Sequence, residues 1–452
     1  MTAEEISDKV LLNVFRHYVN ISPHFWPRLV HVCRRWRRLV FTSQRALHLR
    51  LFCTHGTPVL KTLECWPSLP IVVEYGGSPA LDPPSPEDEV NIMTALKHHG
   101  RVSSISLTVT RSLLKRFYAI KGPFTGLEHL VLQSQDGVQL TLPTTFRWGP
   151  RLSSLHLTGI APRGLTTLLS SSRCIVNIQL HEFPGIGFFS PKSLLNALSE
   201  LTQLHSLSLQ LLPKATCIAV PLPSLNRVVL STLTCLKYQG TNKWLEDLLV
   251  IIHAPRLADV EITFDEPFFD LPESWMEMQM PYRRSEILFS EHSVSISLTR
   301  PASTFKFQVF CKPIDLQLSS LANFCTRFSA FLSSVEDLRI CATPTSSGQT
   351  DGDREEWVEL IHAFAGTKWF HIDGNSSFTT EITLALQPSE TVLPALHKLC
   401  IREPVSRFAP LREAVSLFTH SRMLSSHLIG VKYERRQRQF ISRLDGIGTT
   451  FV

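Results

Sequence analysis

Apolar positions fall into two regimes along this chain. In the first forty residues they recur at helical spacing: Val32, Trp36, Leu39 and Val40 stand at i, i+4, i+7 and i+8, which turns them to one side of a helix. Arg34, Arg35, Arg37 and Arg38 take its flanks and opposite side. Upstream, Ile6-Ser-Asp-Lys-Val-Leu-Leu-Asn-Val-Phe15 has the same period, with Ser7 or Asp8 placed to cap a helix. A third helix is predicted to start at Thr42-Ser43 and run through Leu47, Leu49 and Leu51.

Beyond residue 90 the spacing changes to L-x-x-L-x-L. Leu127-Glu-His-Leu-Val-Leu132, Leu152-Ser-Ser-Leu-His-Leu157 and Leu204-His-Ser-Leu-Ser-Leu209 superpose directly. Weaker copies begin at Ile175, Leu225, Leu257, Val335 and Leu396, and Ser295–Leu298 and Trp369–Ile372 are degenerate members. Equivalent positions 105, 130, 155, 178, 207 and 228 are 25, 25, 23, 29 and 21 residues apart. Each block predicts a strand, and several returns predict helices: Pro191–Leu201, Asn242–His253, Leu318–Leu332 and Asp353–Ala365. Between the regimes, Pro70–Tyr75 is β-branched and reads as the first strand, and Ser78–Glu89 as a Pro-rich acidic loop that ends any element. Phe268–Glu291, with Met276, Met278 and Met280, reads as a long insertion, and Thr343–Asp353 as a loop. Leu411–Leu428 reads as a capping helix and Tyr433–Phe440 as a basic solvated helical tail.

These residues carry two resemblances. Ile6–Phe15 followed by Leu29-Val-His-Val-Cys-Arg-Arg-Trp-Arg-Arg-Leu39 resembles the F-box pattern, most specifically at Val32-Cys33-x-x-Trp36. Ser7 stands where that family has proline, and Lys9 where it has an acidic residue. The segment Leu51–Gly77 is similar to the stretch directly after the F-box in a large set of basidiomycete fungal F-box proteins. The later blocks resemble leucine-rich repeats without the consensus asparagine, so the stack should be irregular. The implied fold is an α/β repeat protein: a small N-terminal three-helix F-box module (1–50), a linker and first strand with the Pro-rich loop (51–90), an irregular leucine-rich-repeat solenoid (91–405), and a capping helix with a basic tail (406–452).

The resemblance also implies a function, that of substrate receptor in an SCF-type cullin-RING ubiquitin ligase. Ile6, Val10, Leu11, Val14, Phe15, Val32, Cys33 and Trp36 would dock a Skp-family adaptor, and through it a cullin. The repeats would hold a protein target. Other readings of the residues are a repeat scaffold outside any ligase and, through the Arg-rich helix, nucleic-acid binding.

Composition narrows this. Hydrophobic residues make up 43% and charged residues 19% of 452, as in a folded chain with a large core, and the net charge of +6 is modest. No Asp or Glu lies between Lys9 and Glu64, whereas eight Arg lie from Arg16 to Arg50. The apolar residues between them favour a protein partner over nucleic acid, since the aromatics sit at core spacing rather than on a stacking platform. Ten cysteines, none in a C-x-x-C pair, suit buried thiols in a reducing compartment. The start Met1-Thr-Ala-Glu-Glu has no basic or apolar leader region, and no run of about 18 apolar residues occurs. A cytoplasmic or nuclear chain, monomeric on its own and without a membrane span, is expected.

No catalytic constellation emerges. Gly185-Ile-Gly-Phe-Phe-Ser190 lacks the last glycine of a dinucleotide fingerprint, and His371-Ile-Asp373 lacks further metal ligands. No enzyme, metal or cofactor is therefore expected. What remains is surface. Strand alternation turns the Leu positions inward and the residues between them outward. That open face would carry Gln133, His156, Gln179, His181, Gln210, Arg339, His371, Asp373 and Arg402 as candidate target contacts.

Overall fold

A computed structural model of the chain describes residues 6–21, 26–43, 48–66, 69–76, 83–135, 140–142, 149–162, 169, 172–183, 194, 197–211, 227–265, 281–311, 314–343, 354–386, 392–403, 409–424 and 430–435. They fall into two compact units, Met1–Leu257 and Ala258–Val452. Each is an α/β arrangement built on mostly parallel strands.

The first unit opens with the helix Asp8–Ile21, a 3-10 turn at Trp26–His31 and the helix Arg34–Thr42. Its strands are β1 Leu49–Phe52, β2 Ile71–Tyr75, β3 Val102–Val109, β4 His129–Ser134, β5 Leu140–Leu142, β6 Ser154–Thr158, β7 Ile160–Pro162, β8 Asn177–Phe183, β9 Ser206–Leu211, β10 Val228–Val229, β11 Cys235–Gly240 and β12 Ile252–His253. The order β1-β2-β3-β4-β6-β8-β9-β11 forms one parallel sheet, while β5-β7 and β10-β12 are small parallel pairs.

Register explains the core. Leu51, Val73, Ile105, Leu130, Leu155, Ile178, Leu207 and Leu236 stand side by side across the sheet. All eight are buried, as are their counterparts Leu107, Leu132, Leu157, Leu180, Leu209 and Tyr238 two residues on. Connecting helices cover this side, for example where Trp244 of the helix Asn242–Ile251 stacks on Tyr238 at 5.8 Å. The backbone hands each strand to the next. Glu128 N–H donates to Ser103 C=O, Ser153 to Glu128, Val176 to Ser153, His205 to Val176 and Thr234 to His205, all at 2.8–2.9 Å.

In the second unit the strands are β13 Asp259–Phe264, β14 Arg284–Phe289, β15 Ser293–Arg300, β16 Ser303–Phe310, β17 Asp337–Ala342, β18 Trp369–Asp373, β19 Lys398–Glu403 and β20 Gly430–Arg435. Their order is β13-β16-β15-β14-β17-β18-β19-β20, with β15 antiparallel to both neighbours. Phe307 stacks on Phe324 of the helix Ile314–Arg327 at 4.5 Å. Phe289 meets Trp357 of the helix Arg354–His362 and Phe378 of the helix Ser376–Ala385.

The structure differs from the sequence reading at five places. Among the described residues no third helix follows Thr42: His48-Leu-Arg-Leu-Phe52 alternates with period two, so Leu49–Phe52 forms an edge strand with Leu49 and Leu51 buried. Residues 51–90 hold the expected strand at 70–75 as β2, and beside it the end of β1, the helix Val59–Cys65 and the start of the helix Pro86–Leu96. Pro86 begins that helix, because proline fits the first turn and Ser85 with Asp88 closes a reciprocal capping box. The Leu225 block supplies β10 rather than the next main-sheet strand, which is β11, built on Leu233-x-x-Leu236-x-Tyr238. The supposed insertion contributes β14 and leads into the β14–β15–β16 meander, and Tyr433–Arg435 belong to a strand rather than a tail. Residues 266–280 with their methionines, 344–353 and 436–452 lie outside the described residues, as does most of the expected helix at 191–201. The expected helices at 242–253, 318–332, 353–365 and 411–428 correspond to Asn242–Ile251, Ile314–Arg327 with Ser329–Leu332, Arg354–His362 and Ala409–Leu424.

Candidate functional site

Three surfaces carry the candidate residues. The first is the N-terminal helical segment. Ser7 Oγ accepts from the Val10 N–H at 3.4 Å and so caps the helix Asp8–Ile21. Arg35 clamps that helix start to the next helix, donating to Asp8 at 2.6 Å and to the Ile6 carbonyl. Cys33 caps the helix Arg34–Thr42 by accepting from the Trp36 N–H at 3.5 Å. Arg37 Nε donates to the Val30 carbonyl at 3.0 Å.

These contacts sort the eight expected adaptor residues. Val10, Val14 and Val32 are 50%, 54% and 59% exposed. Val10 and Val14, four apart, share one face of their helix. Leu11 and Phe15 are buried instead, so they cannot present an apolar surface to a partner. Phe15 packs on half-buried Trp36 at 4.8 Å between ring centroids, and the aromatic pair serves the interior of the segment. Cys33 is exposed but its sulfur turns back to its cap, and Ile6 is half-buried under Arg35.

The second surface is the open side of the first unit's sheet. Across it run Ser106, Val131, His156, Gln179, Ser208 and Lys237 in one register row. Thr108, Gln133, Thr158 and His181 form the row above, and Gln210 with Gln239 continue on β9 and β11. Gln133, His156, Gln179, His181 and Gln210 therefore share this side. His156 Nε2 lies 3.1 Å from Thr158 Oγ1, and His181 Nε2 lies 2.9 Å from Ser208 Oγ. The two imidazoles face each other at 5.1 Å and 69°. Burial lowers both basicities. His181 falls to about 4, with the charges of His156 and Lys237 adding to the effect, so both rings are neutral at pH 7. A register shift between Leu180 and Phe183, with Glu182 at φ 52°, follows His181 directly.

The third surface is the open side of the second unit's sheet, and it is charged. Glu261, Lys306, Ser297, Glu286, Arg339, His371, Cys400 and Lys432 stand in register. Lys306 binds Glu261 at 2.9 Å, and Arg339 spans Glu286 at 3.4 Å and Asp373 at 3.2 Å. His371 lies 3.6 Å from Asp337. Asp373 is expected from the sequence to contact a target, but it is 7% exposed and holds Arg339, so its role is internal. Arg402 is half-buried on the same side. Cys341 has its thiol pushed up to about 12, chiefly by burial, which leaves it protonated and unreactive.

Sequence reasoning missed Ser208, Lys237, Glu286, Lys306 and the exposed Trp369. Glu286 and Lys306 lie on β14 and β16, which the leucine pattern does not mark, although Thr304-Phe-Lys-Phe-Gln-Val309 alternates strictly. Among the described residues no three or more His, Cys, Asp and Glu side chains gather as a metal cluster, and no helix is long and apolar enough to cross a membrane. No protein-family model matches the chain, and no curated protein matches it.

Proposed function

We propose that the chain is a non-enzymatic substrate receptor of an SCF-type cullin-RING ubiquitin ligase, with an F-box-like helical segment for the adaptor and a leucine-rich-repeat-like remainder for a protein target. The observation that carries this reading is the division of labour within the first helix. Leu11 and Phe15 close the segment's own interior against Trp36, while Val10 and Val14 stand exposed on a face that water does not favour. Val10 and Val14, four residues apart, give that face a paired apolar surface on which a partner helix can dock. The exposed Arg34 and Arg38 flank the second helix and would steer an acidic partner rather than anchor it. Binding of the target beside a ubiquitin-charged enzyme would supply the rate enhancement by proximity alone.

The test is calorimetric titration of the full chain with a purified Skp-family adaptor. The Val10→Ser/Val14→Ser double variant should lose about 1–4 kcal/mol of binding, the usual range for interface anchors, without a change in melting temperature. Leu11→Ala should instead lower stability by about 2–5 kcal/mol. Unchanged affinity in the double variant, or a wild-type chain that does not bind the adaptor, would sink the ligase reading.

A further inference from the structure

We propose that His156 and His181 are the two protein ligands of a site for a zinc-class divalent cation on the open side of the first unit's sheet. This does not rest on the ligase reading. The observation is the spacing of the rings. A metal-bound imidazole nitrogen sits about 2.05 Å from zinc, which puts the ring centroid about 3.2 Å from the ion. Two imidazoles at adjacent positions of a tetrahedral or octahedral ion then have centroids about 4.5–5.2 Å apart. The observed 5.1 Å lies inside that window, and the rings are turned 69° to one another rather than stacked.

The hydrogen bonds favour the same use. When Nε2–H of each ring donates to its hydroxyl, Thr158 Oγ1 for His156 and Ser208 Oγ for His181, the lone pair of each ring rests on Nδ1. Ligating histidines are held in this way, with the far nitrogen donating to an outer oxygen that fixes tautomer and orientation.

The surroundings bound the affinity and select the metal. In the rows around the pair, β4 presents Val131 and Gln133, β8 Gln179, β9 Ser208 and Gln210, and β11 Lys237. The carboxylate of the His156 row, Glu74, stands on β2, three strands from His156, and Lys237 opposes a cation, so binding is moderate rather than tight. Neutral nitrogen ligands select Zn(II) or Cu(II) over Mg(II) and Ca(II), which take oxygen donors. Both rings are half-exposed, so water fills the remaining positions.

The experiment titrates Zn(II) into the full-length protein by calorimetry. It compares His156→Gln, His181→Gln, the double variant and a control, His205→Gln, on an exposed histidine outside the pair. Either single variant should weaken one equivalent of Zn(II) at least about tenfold, the double variant should weaken it further, and His205→Gln should match the wild type. Lys237→Gln should tighten binding. With Cu(II), electron paramagnetic resonance should count two imidazole nitrogens in the wild type and one in each single variant. Because His156, His181 and Lys237 are on the open side and His205 is exposed ahead of β9, circular dichroism should show every variant folded. Should a variant unfold, the Cu(II) nitrogen count of the wild type decides by itself. Wild-type Zn(II) binding no tighter than the double variant's, or fewer than two nitrogens on Cu(II), overturns the proposal.

Discussion

Leu155 lies at the centre of the first unit's sheet, and its truncation measures how firmly that sheet's core is built. The side chain is fully buried, and its in-register neighbours Leu130 on β4 and Ile178 on β8 are buried as well. Leu157, two residues on, closes the same side. Leu→Ala substitutions in cores cost about 2.7–5.0 kcal/mol, the upper end where the walls cannot collapse into the space. Here the walls hang from strands fixed on both edges by ladder hydrogen bonds, so the upper half applies and Leu155→Ala should cost about 4 kcal/mol. In a unit of this size that lowers the melting temperature by roughly 8–16 °C. His156→Ala, one residue on, removes a half-exposed ring and one hydroxyl contact, and should cost about 1 kcal/mol or less. Scanning calorimetry with urea titration reads both. Equal losses for the pair would refute the alternation on which the core and the open face both depend.

Acidity should act through the histidines. The His181 imidazole titrates near 4 in the folded chain against an ordinary value of 6.5, so between those values the unfolded chain binds more protons and stability falls as pH falls. His48 and His156, lowered chiefly by burial, add in the same direction. Urea midpoints measured from pH 7 to pH 4.5 in the presence of a chelator should fall, and His181→Gln should flatten that slope; an identical slope refutes the assignment. Gly149 offers a steric test, because a Cβ there would collide with the Phe124 carbonyl oxygen, which the backbone cannot move aside cheaply. Gly149→Ala should cost about 2 kcal/mol or more by thermal unfolding, whereas Gly56→Ala, where a Cβ meets open space, should cost almost nothing.

The repeat strands were legible because a period of two and a period of 3.6 leave different marks. Leu152–Leu157 became β6 and Leu204–Leu209 became β9 with the expected residues inside. The failures have local causes. Leu49 and Leu51 satisfy strand alternation, and the helical expectation came from the segment before them rather than from their own spacing. Tyr238 replaces the last leucine of its block, while Leu225–Leu230 offers a closer match to the motif and so hides β11. The open-face histidines could be named from alternation, but not their juxtaposition. Residue 156 lies diagonally across from residue 181, and only the register of β6 on β8 brings them together. At the N-terminus, one apolar stripe supplied both buried Leu11 and Phe15 and exposed Val10 and Val14, because helical spacing defines a side and not what covers it.

The carbonyl-to-amide hand-off from Ser103 through Glu128, Ser153, Val176 and His205 to Thr234 has an evolutionary corollary. Each strand start is tied by such a bond to the start of its predecessor, and the path between the two bonds is not part of the agreement. Loops of any length can be spliced between strands without disturbing the junction. The successive donors lie 25, 23, 29 and 29 residues apart, yet the bonds stay within 0.1 Å of one another. A lineage carrying this architecture can therefore rewrite nearly all of its intervening sequence, so long as the junctions and the apolar rows survive. Descendants would then keep the same backbone while sharing few letters, and their outward-facing positions would be free to diverge toward new ligands.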